Sequence, residues 1–366
     1  MTRRKDKKMD NLMNRTGKNR YRMKVGQNII ILFALALLVF VFFLLNPNFT
    51  DRYNLVSMAQ SLSPYAILGL GVTFVIATGG IDLSIGTVCI AAAVVAGKMY
   101  TSGLLGNNLW LTIPIMIGIG INFGLLNGFL VAYLKLPAFI ATLGTMMLSR
   151  GLSALIVADP NIFFPGGSWF NRVFSNNNGF PTGILWVIGF AFVCSYFMYK
   201  NKIGRYILSI GSNEEATRLS GINTQSYKLI AYAVSGLSAG IAAIFWAAAF
   251  PTVAAATGNG MELDAIAGVY IGGTSAAGGV ASVSGTVIGA ALLVVIRNGL
   301  NMILAKFNLN LNSTYVTYVL TGIIVVVAVM MDVIKTGKRS KLRIRKRDDK
   351  TGNDIRGNAS RPSQKA

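Results

Sequence analysis

The stretch NIIILFALALLVFVFFLL, residues 28–45, carries no charged side chain. An apolar run of about that length crosses the hydrocarbon core of a bilayer as a helix. A basic arm precedes it and Asn46-Pro47-Asn48 follows, without the small-residue site at which a leader peptide is cut. The run therefore reads as a first membrane span. Outward from it, comparable runs recur near 54–77, 84–103, 109–133, 137–157, 182–199, 228–250, 264–281, 284–305 and 314–333. Turn chemistry separates them at Asn46-Pro47-Asn48, Gly79-Gly80, Gly106-Asn107-Asn108, Leu136-Pro137 and Gly278-Gly279. The expected fold is an all-α polytopic membrane protein, a bundle of about ten transmembrane helices.

Composition agrees. The 366-residue chain is 53% hydrophobic and 13% charged, with a mean hydropathy of +0.55; a soluble chain carries about a quarter charged residues. Between Ile29 and Met331 the acids are only Asp51, Asp82, Asp159, Glu214, Glu215, Glu262 and Asp264. A net charge of +21 would ordinarily suggest nucleic acid. Here ten Lys/Arg fall within residues 1–24 and twelve within 335–366, both runs adjoining spans. Such runs mark cytoplasmic flanks, so no nucleic-acid partner is expected. The chain divides into a basic cytoplasmic arm (1–27), a transmembrane region (28–333) and a basic cytoplasmic tail (334–366). Within the middle region, loop 200–227 carries Lys200, Lys202, Arg205 and Arg218 and falls inside, whereas 158–181, with Arg172 as its only cation, falls outside. Both termini then face the cytoplasm, and the protein belongs in the cell membrane.

Glycines recur every four residues at Gly120/Gly124/Gly128 and at Gly236/Gly240, a spacing that lets helix backbones approach in lipid. Cys89 and Cys194 sit in apolar runs without framework spacing, and the chain has no histidine. Imidazole metal ligands and His-based triads are thereby excluded. No metal or catalytic residue is expected, and the chain is not expected to be an enzyme.

Three constellations break the pattern. In Thr78-Gly79-Gly80-Ile81-Asp82-Leu83-Ser84 an acid stands between two apolar runs, where a lone carboxylate is costly unless paired or wet. Asp82 either caps the following helix, with Ser84 bonding nearby amides, or contacts the transport path. Glu262 and Asp264 open a later span and Gly272-Gly273 follows, so the same alternatives apply. Paired interruptions in two halves of a chain are a transporter pattern. In the loop, Asn213 suits an N-cap, Glu214 and Glu215 the first turn, and Gly221 the C′ position of a two-turn helix. Ala216, Leu219 and Ile222 then share one side. That helix either docks a partner or is merely solvated.

The blocks GGIDLSIG (79–86), LPAFIATLGTMMLSRG (136–151), GRYILSIGSNEEATRLSGIN (204–223) and ELDAIAGVYIGGTSAAGG (262–279) decide the last question. With these blocks in order, residues 50–333 resemble permease subunits of bacterial ABC importers for monosaccharides, of the ribose type. The resemblance implies an ABC importer permease-like bundle in which the helix at 213–222 couples to a cytosolic ATP-binding cassette subunit, through Asn213, Glu214, Glu215, Ala216, Arg218, Leu219 and Gly221. It further implies a second permease copy or a similar permease, and an extracytoplasmic sugar-binding protein. No GxxxxGK[ST] motif is present, so ATP is used by the partner and no cofactor is expected in this chain. The helix breaks at Gly79, Gly80, Asp82, Ser84, Glu262 and Asp264 are expected near the path. Asn122, Asn127, Thr142, Thr145 and Asn298 are candidates for binding cargo hydroxyls, and the basic tails for lipid headgroups. A nucleoside or other neutral hydroxylated solute stays open as cargo. An ion-coupled secondary transporter is disfavoured, since Asp82, Glu262 and Asp264 are the only acids near its spans' breaks.

Overall fold

The computed structural model describes residues 28–307 apart from 107, 158–160, 251, 255–257 and 259, together with helical pieces at 315–316, 319–323, 326–327 and 330. The basic arm, the tail and half of the expected span at 314–333 lie outside the described residues. The chain is built from α1 (Asn28–Leu45), α2 (Arg52–Ala77), α3 (Ile85–Thr101), α4 (Thr112–Ala132), α5 (Ala138–Ile156), β1 (Ile162–Phe163), α6 (Trp169–Phe174) and α7 (Gly183–Tyr199). It continues through α8 (Lys202–Ser212), α9 (Glu214–Leu219), α10 (Thr224–Ala249), β2 (Thr252–Val253), α11 (Met261–Ile271) and α12 (Val283–Lys306).

Helix starts follow local chemistry. Pro47 ends α1 and opens a 3-10 turn capped by Asn46, and the Asp51 carboxylate accepts from Tyr53 N at 3.1 Å to start α2. Among the described residues six helices, α1, α2, α4 with its 3-10 lead-in, α5, α10 and α12, are long and apolar enough to cross a membrane. Helix α7 passes the same test only together with α8, from which it is bent by 66°. The seventeen residues of α3 rise only about 25 Å.

The expected span at 264–281 is not one continuous helix. Helix α11 stops at Ile271 after eleven residues, about 16 Å of a core of about 30 Å. Gly273, Gly278 and Gly279 then take positive φ, so 272–282 is a break. Loop 200–227 holds more order than expected, because α8 precedes the anticipated helix. On the other side of the bundle β1 pairs antiparallel with β2, Ile162 opposite Val253, which hydropathy alone did not suggest.

Buried α2 lies at the centre, against α10, α12 and α7. Helix α10 also packs along α4. The glycine spacing explains that seam: a Cβ on Gly120 would strike the Gly236 carbonyl, and one on Gly124 would lie 2.5 Å from the Tyr232 carbonyl. The backbones therefore touch directly. The outward faces of α1, α5 and α7 stay apolar, with Phe33, Leu155 and Phe192 exposed, as a lipid-facing bundle requires.

Candidate functional site

Helix α2 ends where Gly79 takes φ +84, a conformation that costs glycine nothing. The chain then passes Asp82 before α3 begins. Asp82 is 1% exposed and has no cationic partner among the described residues. Its Oδ1 accepts from Ser84 N at 3.0 Å and Ser84 Oγ at 2.7 Å, and its Oδ2 accepts from Ser235 Oγ at 2.7 Å. Asn127 Nδ2 donates to Ser84 Oγ at 2.8 Å, and Thr145 Oγ1 donates to Asn127 Oδ1 at 2.6 Å. One carboxylate thus ties the first break to α4, α5 and α10. Asp82 does accept a backbone N–H at the start of α3. Ser84, expected to bond nearby amides itself, makes no bond to a backbone amide of α3; its hydroxyl donates to Asp82 and accepts from the Asn127 side chain.

A buried carboxylate satisfied by hydroxyls and an amide loses most when replaced by a side chain that accepts nothing. Asp82→Leu is expected to destabilise by about 3 kcal/mol or more, since three donors lose their acceptor. Asp82→Asn keeps one acceptor oxygen and should retain a good part of the folded protein. Detergent-solubilised yield and melting temperature of the two variants check this; equal values for Leu and wild type would remove any role for Asp82.

The second break meets the first. Gly279 N donates to Ala77 O at 3.0 Å, and a Cβ on Gly278 would stand 2.8 Å from Gly79 N. Into the same junction comes Gly211, near the end of α8: a Cβ there would overlap the Ala77 carbonyl and Gly279 N. Two helix breaks from opposite halves of the chain and the last turn of α8 are therefore in backbone contact.

From that junction α9 projects outward. Asn213 Oδ1 accepts from Ala216 N at 2.9 Å, Glu214 and Glu215 occupy the first turn, and Gly221 has φ +79. Glu214 pairs with Lys228 of α10 at 2.6 Å and Glu215 with Arg218 at 2.6 Å. The Arg218 guanidinium, by hydrogen bond and charge, holds the Glu215 carboxyl below its ordinary range. Ala216 is exposed and Leu219 is 77% exposed, an apolar pair left open on a charged helix. Beside it lies a cavity of about 820 Å³ lined by Gly79, Gly80, Lys135, Glu215, Arg218 and Tyr232 among others. It runs from α9 to the first break.

The acids of α11 open a helix of only eleven residues. Gly260, at φ +84, precedes the helix, and Glu262 and Asp264 fall within its first turn. Asp264 forms an ion pair with Arg297 of α12 and accepts from Thr321 Oγ1 at 3.2 Å, while Arg297 Nη1 donates to Tyr65 OH at 2.6 Å. Arg297, whose sequence surroundings named no partner, finds it thirty-three positions away.

The candidate cargo residues scatter. Asn127 and Thr145 are buried in the Asp82 network; buried Thr142 donates to its own helix at Ala138 O, 2.8 Å. Asn122 is exposed and bonded to Gly118 O at 2.8 Å, and Asn298 exchanges bonds with Asn54 at 2.9 and 3.0 Å. They form no common surface. Ser235, Tyr232, Tyr65 and Gly211 were missed, because each sits in an ordinary small or aromatic context. Only the Gly211 position inside a recognisable block offered a signal.

Comparison with known proteins places this architecture. Residues 54–329 match the model of the branched-chain amino acid transport system / permease component family. The chain belongs to that family. The permease is 36% identical over 313 residues to the ribose import permease protein of Escherichia coli K12, covering 82% of this chain and 92% of that one. It is 34% identical over 304 residues to the ribose import permease protein of Bacillus subtilis 168, covering 82% and 90%. With the L-arabinose transport system permease protein of E. coli K12 it shares 31% over 303 residues, covering 83% and 89%. No solved structure matches the permease. It is a multi-pass membrane protein and a transport component rather than an enzyme.

Proposed function

We propose that the permease forms the translocation path of an ATP-driven importer for a monosaccharide, ribose-like in its hydroxyl content. The observation that carries this is the set of relatives: proteins named for ribose and L-arabinose transport align over more than four-fifths of the chain. Few charges inside the bundle suit a neutral cargo, since an ion would want a counter-charge on its route. ATP is hydrolysed by cytosolic ATP-binding cassette subunits that grip α9 through Ala216 and Leu219. A second copy of the permease or a similar one completes the path, and an extracytoplasmic sugar-binding protein delivers cargo. Motion at α9 reaches both helix breaks through Gly211. Import of labelled ribose by a strain lacking its own ribose permease, restored by this chain with its ATPase and binding protein, is the expected result. Failure with every pentose and hexose, at normal membrane level, would sink the assignment.

Both termini face the cytoplasm in this arrangement, and their basic runs adjoin anionic headgroups, each nearby Lys or Arg contributing about 1 kcal/mol. Cysteines introduced as Lys5→Cys and Ser360→Cys should resist membrane-impermeant thiol reagents in intact cells and react after permeabilisation. Buried Cys89 and Cys194 add little background. Labelling from outside would reverse the topology.

A further inference from the structure

The first turn of α11 carries two acids, and the structure treats them differently. Asp264 is paired with Arg297. Glu262 is 7% exposed, and its carboxylate turns back onto the backbone of Gly260 and its own residue. Its Oε2 is buried and has no hydrogen-bond partner among the described residues. That oxygen lies against α3, 2.5 Å from where a Cβ on Gly86 would sit. The next residue of α3, Thr87, accepts from Ser149 Oγ of α5 at 2.8 Å. Arg150 follows Ser149 and lies within electrostatic reach of Glu262. It is half-buried, and its guanidinium makes no hydrogen bond among the described residues.

Glu262 Oε2 and the Arg150 guanidinium are thus left without a hydrogen-bond partner among the described residues. Helix α5 turns Met147, Leu148 and Leu152 outward, and a guanidinium on a spanning helix does not rest in lipid but faces a partner or a wet path. A buried carboxylate oxygen without a donor is rare in a native structure and asks for a ligand. The Asp264–Arg297 pair shows that an acid and an arginine in this bundle close on each other when nothing belongs between them. We infer that Glu262 and Arg150 form a polar clamp for the neutral hydroxylated cargo, an assignment that rests on the import function proposed above. The carboxylate only accepts hydrogen bonds and the guanidinium only donates them, whereas each sugar hydroxyl does both. Neighbouring hydroxyls of one sugar therefore bridge the two, and an uncharged molecule leaves their charges balanced.

The test is selectivity, measured in cells that express the ATPase and binding protein with each permease. Uptake of ribose and of 2-deoxyribose is compared for wild type, Glu262→Gln, Arg150→Gln and Arg150→Lys, beside membrane level and ATPase co-purification. The binding protein is common to all four, so a change in the ribose-to-deoxyribose ratio belongs to the permease. Ribose uptake is expected to fall about tenfold, as for one lost hydrogen bond to a charged group, with a smaller fall for deoxyribose, so that the ratio drops. Arg150→Lys should show the same drop, because a point charge does not replace the planar fork. Equal falls for both sugars, or no fall, would overturn the clamp while wild-type ribose uptake still supports import. Should wild type import neither these nor any other pentose or hexose, both assignments fall together.

Discussion

Gly211→Ala is expected to bring sugar uptake to background while the permease stays inserted and keeps its ATPase. The added methyl would overlap the Ala77 carbonyl and Gly279 N, which are backbone atoms and cannot rotate away. Overpacking of this kind costs about 1–3 kcal/mol when the surroundings yield. Here yielding means prising α8 from the two breaks, and with them the Gly279-to-Ala77 hydrogen bond. Helix α9 carries its own cap and its own pair to Lys228, so the surface offered to the ATPase survives. Uptake, membrane level and ATPase co-purification measured together separate these effects. Normal uptake in Gly211→Ala would show that the junction transmits nothing.

The converse is expected at α9 itself. Gly221→Val and Glu214→Lys should abolish uptake and lose the ATPase together. A Cβ on Gly221 meets no atom within 4 Å, but φ is +79, so the difficulty is conformational rather than steric. A β-branched residue there is strained by about 1–2 kcal/mol, enough to unwind a six-residue helix. Gly221→Asn, which tolerates the left-handed region, should keep activity. Glu214→Lys replaces the 2.6 Å pair with Lys228 by two like charges and sets a cation at a helix N-terminus. Retained transport with the ATPase bound in both variants would reduce α9 to a solvated loop.

Much of this molecule was legible in its sequence, for reasons that also explain the rest. Span-length apolar runs identify the bundle because the bilayer fixes their length. Gly120, Gly124, Gly236 and Gly240 announced a close seam because only glycine permits one. The α9 cap was readable since Asn213 and Ala216 N are three positions apart. Hydropathy failed at 264–281, where it counts apolar residues and not whether Gly272 to Ser282 hold a helix. Partners distant in sequence were beyond it as well. Asp82 meets Ser235 across 153 positions, and Asp264 meets Arg297 across 33. Polar residues at mid-span suggest cargo contacts in the sequence, whereas Asn127 and Asn298 are absorbed by side chains of neighbouring elements.

The central claim is that energy enters this permease from ATP through a bound partner. It is tested most directly in proteoliposomes holding the permease and its ATPase, with ATP inside and sugar-loaded binding protein outside. Labelled ribose should accumulate against its gradient only with hydrolysable ATP, and a protonophore that collapses the proton gradient should leave the rate unchanged. Accumulation that survives without ATP and stops with the protonophore would contradict the account and assign the permease to ion-coupled transport.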